Sequence, residues 1–252
     1  MKTTYNILRA GLLGIFVILT SCGYEDPIGS TVTIYPIITL NGDDVDQVAV
    51  GETYDDPSAV ATIDDTEVPV EVTYTGKFTG ATYTGTLNTS MPDIYTATYS
   101  AENSDGFSGS ATRQVIVSNT GDLVNSIEGV YLSTVARNGT IDAAYIDMEY
   151  VLIWQNEDGS YELSDAFGGY YDIGRVYGVD YITPGALIIA NDIPSNDFEY
   201  PNTVSNLSFG GSATIAGMTV DPDAGTIDYT CVWQADASTT YTFDIHLEQV
   251  QF

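Results

Sequence analysis

Positive charge is what this chain has least of. Six Lys and Arg stand against 35 Asp and Glu, a formal net charge of −29. Nucleic-acid binding relies on Lys and Arg to displace counterions from phosphates, so that function is excluded. Anionic lipid surfaces and polyanionic glycans are disfavoured on the same ground. Histidine is scarcer still, with His246 standing alone. A zinc centre ordinarily needs more N and S ligands than that. Two cysteines, Cys22 and Cys231, give no disulfide framework, so stability must come from burial. Motif chemistry is missing as well. There is no Gly-x-Ser-x-Gly elbow to place a nucleophile beside His246, no phosphate loop and no dinucleotide fingerprint. Paired acids at Asp43-Asp44, Asp55-Asp56, Asp64-Asp65 and Asp221/Asp223 lack EF-hand spacing and read as solvated turns. No catalytic residue, metal site or cofactor is therefore expected, and the chain reads as a non-enzyme.

Long apolar runs are absent too, except for one near the start. It spans roughly Leu12 to Leu19, about 8 residues where a membrane helix needs about 20. Lys2 and Arg9 are the only charges before Cys22. A basic start and a short apolar core are the layout of a secretory signal. The stretch Leu19-Thr20-Ser21-Cys22 then resembles a bacterial lipobox. That resemblance implies a signal peptide over residues 1–21, cleavage before Cys22, and acyl chains on that residue. Two or more such chains hold a protein firmly to a bilayer. Residues 22–32, polar and carrying Pro27 and Gly29, read as a tether. Within it, Gly23-Tyr24-Glu25-Asp26 is similar to the acidic surface-export signal of Bacteroidetes lipoproteins. The location this implies is the outer membrane, with the folded part facing the exterior. The mature chain would carry four cations against 35 acids, a net charge of −31.

What is abundant is strand-forming composition. There are 19 Tyr, with many Thr, Val and Ile, and no long stretch of helical period follows the signal. From residue 33 to 118, short apolar blocks are broken by Asn41-Gly42, Gly51 and Asp56-Pro57, a sandwich-like spacing. Ile94, Thr96 and Thr98 alternate with Tyr95, Ala97 and Tyr99, and Ser104-Asp105-Gly106 makes a hairpin turn. Tyr35-Pro36-x-Ile38-Thr39-Leu40-Asn41-Gly42, Gly51-x-x-Tyr54-x-Asp56-Pro57-x-Ala59 and Pro92-x-x-Tyr95-x-x-x-Tyr99-x-Ala101 together resemble the bacterial immunoglobulin-like repeat. One departure is Asp64-Asp65-Thr66, where the family usually shows Asp-Gly-Asp. The resemblance implies a spacer or adhesion module, with Tyr95 at the place of a tyrosine-corner contact or of core packing.

Residues 119–126 form a polar linker, and residues 127–252 a second β unit. Its expected strands are Gly129–Val135, Tyr145–Trp154, Ser160–Ser164, Ala186–Ala190, Ser212–Met218, Thr226–Gln234 and Thr240–Val250. The fold class is thus all-β: an immunoglobulin-like β-sandwich followed by an antiparallel β-barrel or sandwich. With "GVYLSTVARNG", "SDAFGGYYDIGRVYG" and "PGALIIAN", the whole resembles two-domain Bacteroidetes lipoproteins of the polysaccharide-utilisation accessory type. Neutral polysaccharide or oligosaccharide, outer-membrane transporters and the membrane itself are the partners this implies. The competing reading is an adhesion or scaffold subunit that binds protein.

The richest candidate for chemistry is Asp165 to Tyr181. Phe167, Tyr170, Tyr171, Tyr177 and Tyr181 sit there among Gly168, Gly169, Gly174 and Gly178, with Asp172 and Arg175. Aromatic planes cover the apolar faces of sugars, while Asp and Arg bond their hydroxyls. Phe167, Tyr170, Tyr171, Asp172, Arg175, Tyr177 and Tyr181 are the expected ligand-binding residues, with Asp165 and Asp180 beside them. Tyrosines also fill β cores, so packing is the competing role. Trp154, Trp233 and Cys231 fall in strand-like runs and read as core, His246 as a sheet-face residue. Replacing the lipid attachment point, Cys22→Ser, is expected to move the protein from the membrane to the soluble fraction and to remove acyl mass from its amino terminus; a chain that stays membrane-bound without that mass contradicts the lipobox.

Overall fold

Strand formers bracketed by Asn-Gly, Asp-Pro and Asp-Gly turns shape the first half of the molecule. A computed structural model describes residues 32–252, so the expected signal peptide, Cys22 and all but the last residue of the expected tether lie outside it. The first eight strands are β1 (Ile37–Leu40), β2 (Val45–Val48), β3 (Ala59–Ile63), β4 (Thr66–Val68), β5 (Glu71–Gly76), β6 (Thr82–Thr84), β7 (Asp93–Glu102) and β8 (Ser108–Val117). They make one sheet in the order β1-β3-β4 and another in the order β2-β8-β7-β5-β6, with β2 parallel to β8. Tyr74, Tyr95, Ala97, Tyr99, Val115 and Val117 are buried together in the core of this sandwich. Asp56, from the Asp-Pro turn, accepts the hydroxyl hydrogens of Tyr99 at 2.6 Å and Tyr74 at 2.7 Å. The corner-like bond therefore belongs to Tyr99 and Tyr74, while Tyr95 packs beside Tyr83.

Nine further strands follow: β9 (Gly129–Arg137), β10 (Met148–Gln155), β11 (Tyr161–Leu163), β12 (Ala186–Asp192), β13 (Asp197–Glu199), β14 (Val204–Asn206), β15 (Gly210–Asp221), β16 (Thr226–Gln234) and β17 (Thr240–Val250). All seven expected strands are present, β10 beginning at Met148 because Ala143–Tyr145 forms a 3-10 turn. The short strands β13 and β14 are additions that sequence alone did not reveal. Sheet order is β13-β12-β11-β10-β9-β17-β16-β15-β14, with every pairing antiparallel.

That order dictates shape. β13 and β14 are the two edges, yet only residues 200–203 separate them in the chain. Such a link spans at most about 18 Å. A flat nine-stranded sheet would hold its edges roughly 38 Å apart at the usual strand spacing. The sheet must curl, and it forms a half-barrel whose concave face carries Tyr131, Val135, Ile153, Leu163, Phe243, Ile245 and Leu247 in one buried cluster. Strand β17 alternates as expected: Phe243, Ile245 and Leu247 are buried, Asp244 and Glu248 exposed.

Between the sandwich and the half-barrel lies a third apolar cluster. Ile94 and Ile116 from the sandwich are buried with Val130, Tyr150 and Leu152 from the half-barrel, and Phe78 and Trp154 pack against them. Ile94 therefore does not share the exposure of Thr96 on its own strand face. A buried carboxylate shapes this contact. Asp93 accepts the N–H of Phe78 and of Thr79, both at 2.9 Å, and the Thr79 hydroxyl hydrogen at 2.6 Å. The turn so fixed presents Phe78 to the apolar cluster and places Lys77 Nζ 2.6 Å from Asp172 of the half-barrel. The linker is built in as well. Leu123 is buried, Asp122 caps the turn that follows it, and Gln249 of β17 donates to the Gly121 carbonyl at 3.0 Å.

Truncating a fully buried leucine costs about 2–5 kcal/mol. Leu152→Ala is therefore expected to lower the stability of both β units together, within a single calorimetric transition. Two separate transitions, only one of which moves, would contradict a shared core.

Candidate functional site

The segment from Asp165 to Thr183 leaves the end of β11, fills the mouth of the half-barrel and returns to β12. Its fixed point is Asp165, wholly buried. The carboxylate accepts the N–H groups of Phe167 at 3.0 Å, Gly169 at 3.0 Å and Thr183 at 2.9 Å. Both ends of the segment are thus held by one side chain. Burial pushes its pKa up to about 6, with a smaller upward push from Asp172, and the three N–H bonds only partly oppose this.

Phe167 enters the core, stacked on Phe243 at 4.4 Å and tilted against Trp233 at 5.3 Å. Gly168 has φ +62°, and a Cβ there would lie 2.8 Å from Ile245, so the close approach requires glycine. Tyr170–Gly174 is a π-helical turn, closed by Gly174 N–H to the Gly169 carbonyl and Arg175 N–H to the Tyr170 carbonyl. Single π turns often sit at functional positions. Val176 follows with φ +56° and is 84% exposed. A β-branched residue in that region is strained, and such strain concentrates at ligand-binding positions.

The seven expected ligand residues divide on burial. Phe167, Tyr170, Tyr171 and Asp172 are buried, so the first three cannot present a ring face to a ligand, and Asp172 is engaged by Lys77. The three rings are covered because the sheet curls around the glycine-rich run rather than leaving it as an exposed loop, and only the hydroxyl end of Tyr170 reaches an exposed side chain, Arg175. Arg175 and Tyr177 are exposed and Tyr181 is half-buried. Tyr181 meets a residue that sequence reasoning missed, Phe209, and Tyr177 lines the same depression. Tyr177 lies against Tyr181 at 5.1 Å, Tyr181 against Phe209 at 5.0 Å, and Tyr171 supports both Tyr177 and Phe209 from below. Val176, Tyr177, Tyr181 and Phe209 line one surface depression, with exposed Leu207 nearby in sequence. Phe209 carried the signal already read at 165–181, an aromatic beside paired glycines, here Gly210-Gly211.

Asn206, almost wholly buried, joins the two loops of this surface. Its amide nitrogen donates to the Tyr181 carbonyl at 2.6 Å, and its oxygen accepts the Phe209 N–H at 2.8 Å. Ser208 donates to the Asp180 carbonyl at 2.6 Å.

Other expected positions settle elsewhere. Trp233 is buried and donates to the Gly210 carbonyl at 3.0 Å. Trp154 is half-buried and lines a cleft of about 510 Å³ with Phe78, Met91, Glu162 and Leu207. Burial pushes Glu162 up in that cleft. Cys231 is buried and free, its thiol pushed up to about 12 by burial and by Asp165. His246 faces out from β17, 2.7 Å from Asp228 and 3.6 Å from Glu248. Among the described residues, no group of three or more His, Cys, Asp or Glu is placed to hold a metal ion.

Residues 120–249 match a family model described as a C-terminal domain, and residues 38–117 match the model for the Ig-like domain of bacterial surface proteins. The fold is similar to that in the crystal structure of a lipoprotein from Bacteroides thetaiotaomicron, with a TM-score of 0.58 and 24% identity over 85% of this chain and 100% of that one. No curated protein matches the chain.

A carboxyl group whose folded pKa is raised binds more protons folded than unfolded, so its contribution to stability falls as pH rises. For Asp165 the window runs from its ordinary value of 3.8 to about 6. Over it the wild type is expected to lose about 3 kcal/mol relative to Asp165→Asn, measured by urea unfolding of both proteins at each pH. A difference that stays constant between pH 4 and pH 7 contradicts the buried, raised carboxyl.

Proposed function

The chain belongs to the family of this C-terminal domain, and we propose that it is a non-catalytic, lipid-anchored protein of the outer membrane that holds glycan at the cell surface as an accessory to polysaccharide uptake. Neither matched family description names an enzymatic activity. A surface Ig-like module suits a part that stands off the membrane, and the lipobox at Cys22 supplies the attachment.

The observation that carries the glycan reading is the aromatic rim formed by Tyr177, Tyr181 and Phe209. Exposed rings usually collapse onto a protein or scatter singly. These are grouped, supported from beneath by Tyr171, and pinned through Asn206. A preorganised apolar surface loses little entropy when a sugar ring settles on it. Hydroxyl partners stand close by in Arg175 and Asp180, both exposed.

A scaffold role is the second reading, favoured by the Ig-like module that the sequence shares with bacterial surface proteins. The two readings separate by experiment. Affinity electrophoresis against a broad panel of neutral polysaccharides is expected to show retardation. Tyr177→Ala and Phe209→Ala should each weaken it by about tenfold or more, as loss of a central aromatic contact does, with melting temperature close to wild type. No retardation across the panel, with co-purification of an outer-membrane transporter, supports the scaffold instead.

A further inference from the structure

The mature chain has only four cations, and two of them converge on one phenol. Arg137, at the end of β9, sets its guanidinium carbon 5.7 Å from the Tyr170 ring, and Arg175 sets its own at 5.7 Å. Arg175 donates to the Tyr170 hydroxyl at a long 3.5 Å. Arg137 also lies over the Tyr241 ring at 3.9 Å, and Tyr145 packs on Tyr170 at 4.4 Å. Burial pushes the Tyr170 phenol up, but the two guanidinium groups and Tyr145 outweigh it and hold the phenol below its ordinary value.

In a chain with 35 acids, an arginine is expected to find a carboxylate. Lys77 does, with Asp172. Among the described residues, neither Arg137 nor Arg175 takes part in an ion pair. Arg137 Nε is buried with no hydrogen-bond partner at all. Two cations held against one ring repel each other, and an aromatic box stabilises them only in part.

We propose that Arg137 and Arg175, with the Tyr170 hydroxyl between them, bind a carboxylate on the ligand, namely that of a uronic acid unit in a glycan that is otherwise uncharged. The proposal rests on the glycan reading and specifies its substrate. A planar guanidinium fork matches a carboxylate in a bidentate manner. Arg175 lies two residues before Tyr177 on the same exposed stretch, so the charge site adjoins the aromatic rim. The overall charge of the chain sets the limit. At physiological salt, fields are screened beyond about 8 Å, so a single carboxylate responds to the two arginines beside it. A dense polyanion meets the negative surface as well and is repelled.

The test uses the full mature chain and observes the arginine Nε–Hε resonances by NMR during titration with glucuronate, and separately with its methyl ester. Glucuronate is expected to shift the Arg137 and Arg175 signals, with the ester about tenfold weaker or silent. Arg175→Gln, at an exposed position, should remove the response, and Arg137→Lys should weaken it while keeping the charge. Equal shifts with acid and ester, no shift with glucuronate at tens of millimolar, or a response that survives Arg175→Gln overturns the proposal. The glycan reading fails separately: if no polysaccharide is retained while glucuronate still shifts both arginines, the carboxylate site stands and uptake of glycan does not. Neutral polysaccharide bound through Tyr177 with no glucuronate response removes the carboxylate site and leaves the glycan reading in place.

Discussion

One buried carboxylate holds the candidate site of this molecule together. Asp165 takes three backbone N–H groups, two at the start of the inserted segment and one at its close. Without that acceptor the amides of Phe167, Gly169 and Thr183 would be stranded in an apolar interior, at about 1–3 kcal/mol each. The cost of holding charge there is visible in the raised pKa of Asp165, where burial outweighs the hydrogen bonds. What the clamp maintains is a chain of contacts. Phe167 is fixed on Phe243, Tyr171 packs on both, and Tyr177 and Phe209 rest on Tyr171. The exposed rim is therefore the outer layer of a core, and its rings are held by the same packing that stabilises the half-barrel.

The few cations show how this acid-rich chain is organised. Lys77 crosses from the sandwich to Asp172 on the inserted segment, so the two β units meet at the base of the candidate site. Asp93 fixes the turn that carries Lys77 from the start of β7, well along the chain from the residues it bonds. Arg113 is buried in the sandwich beside the Tyr99 ring and bonds the Asn41 and Ser58 carbonyls. Arg137 and Arg175 remain, both at the mouth of the half-barrel. None of the four is a scattered surface charge, and that is why two unpaired arginines in one place carry weight.

Periodicity along single strands was legible, and contacts between units were not. Phe243, Ile245 and Leu247 face inward as their alternation requires. Ile94 also sits where a two-residue period puts it, opposite Tyr95, but its face is covered by the half-barrel and so it is buried. Nothing in a local window reports such a neighbour. The same limit explains the aromatic–glycine run. Glycine marks places where chain comes close to other chain, and at Gly168 the close neighbour is Ile245 of the barrel core. Composition showed that the run was unusual without showing which rings point inward. Tyr177 and Tyr181 reached the surface while Phe167, Tyr170 and Tyr171 did not. Phe209 and Arg137 lie far from the run in sequence and join it only because the sheet curls. Strands β13 and β14 are three residues each and mostly exposed or half-buried, so no run of apolar residues marks them.

Native-state hydrogen exchange tests most directly whether the Asp165 clamp makes the inserted segment part of the folded core. The amides of Phe167, Gly169 and Thr183 should exchange only through global unfolding, with the same free energy as the amide of Cys231 in the centre of the sheet. If those three exchange much faster, through a local opening that leaves Cys231 protected, the segment is a mobile loop laid over the barrel and the rim is not preorganised by it.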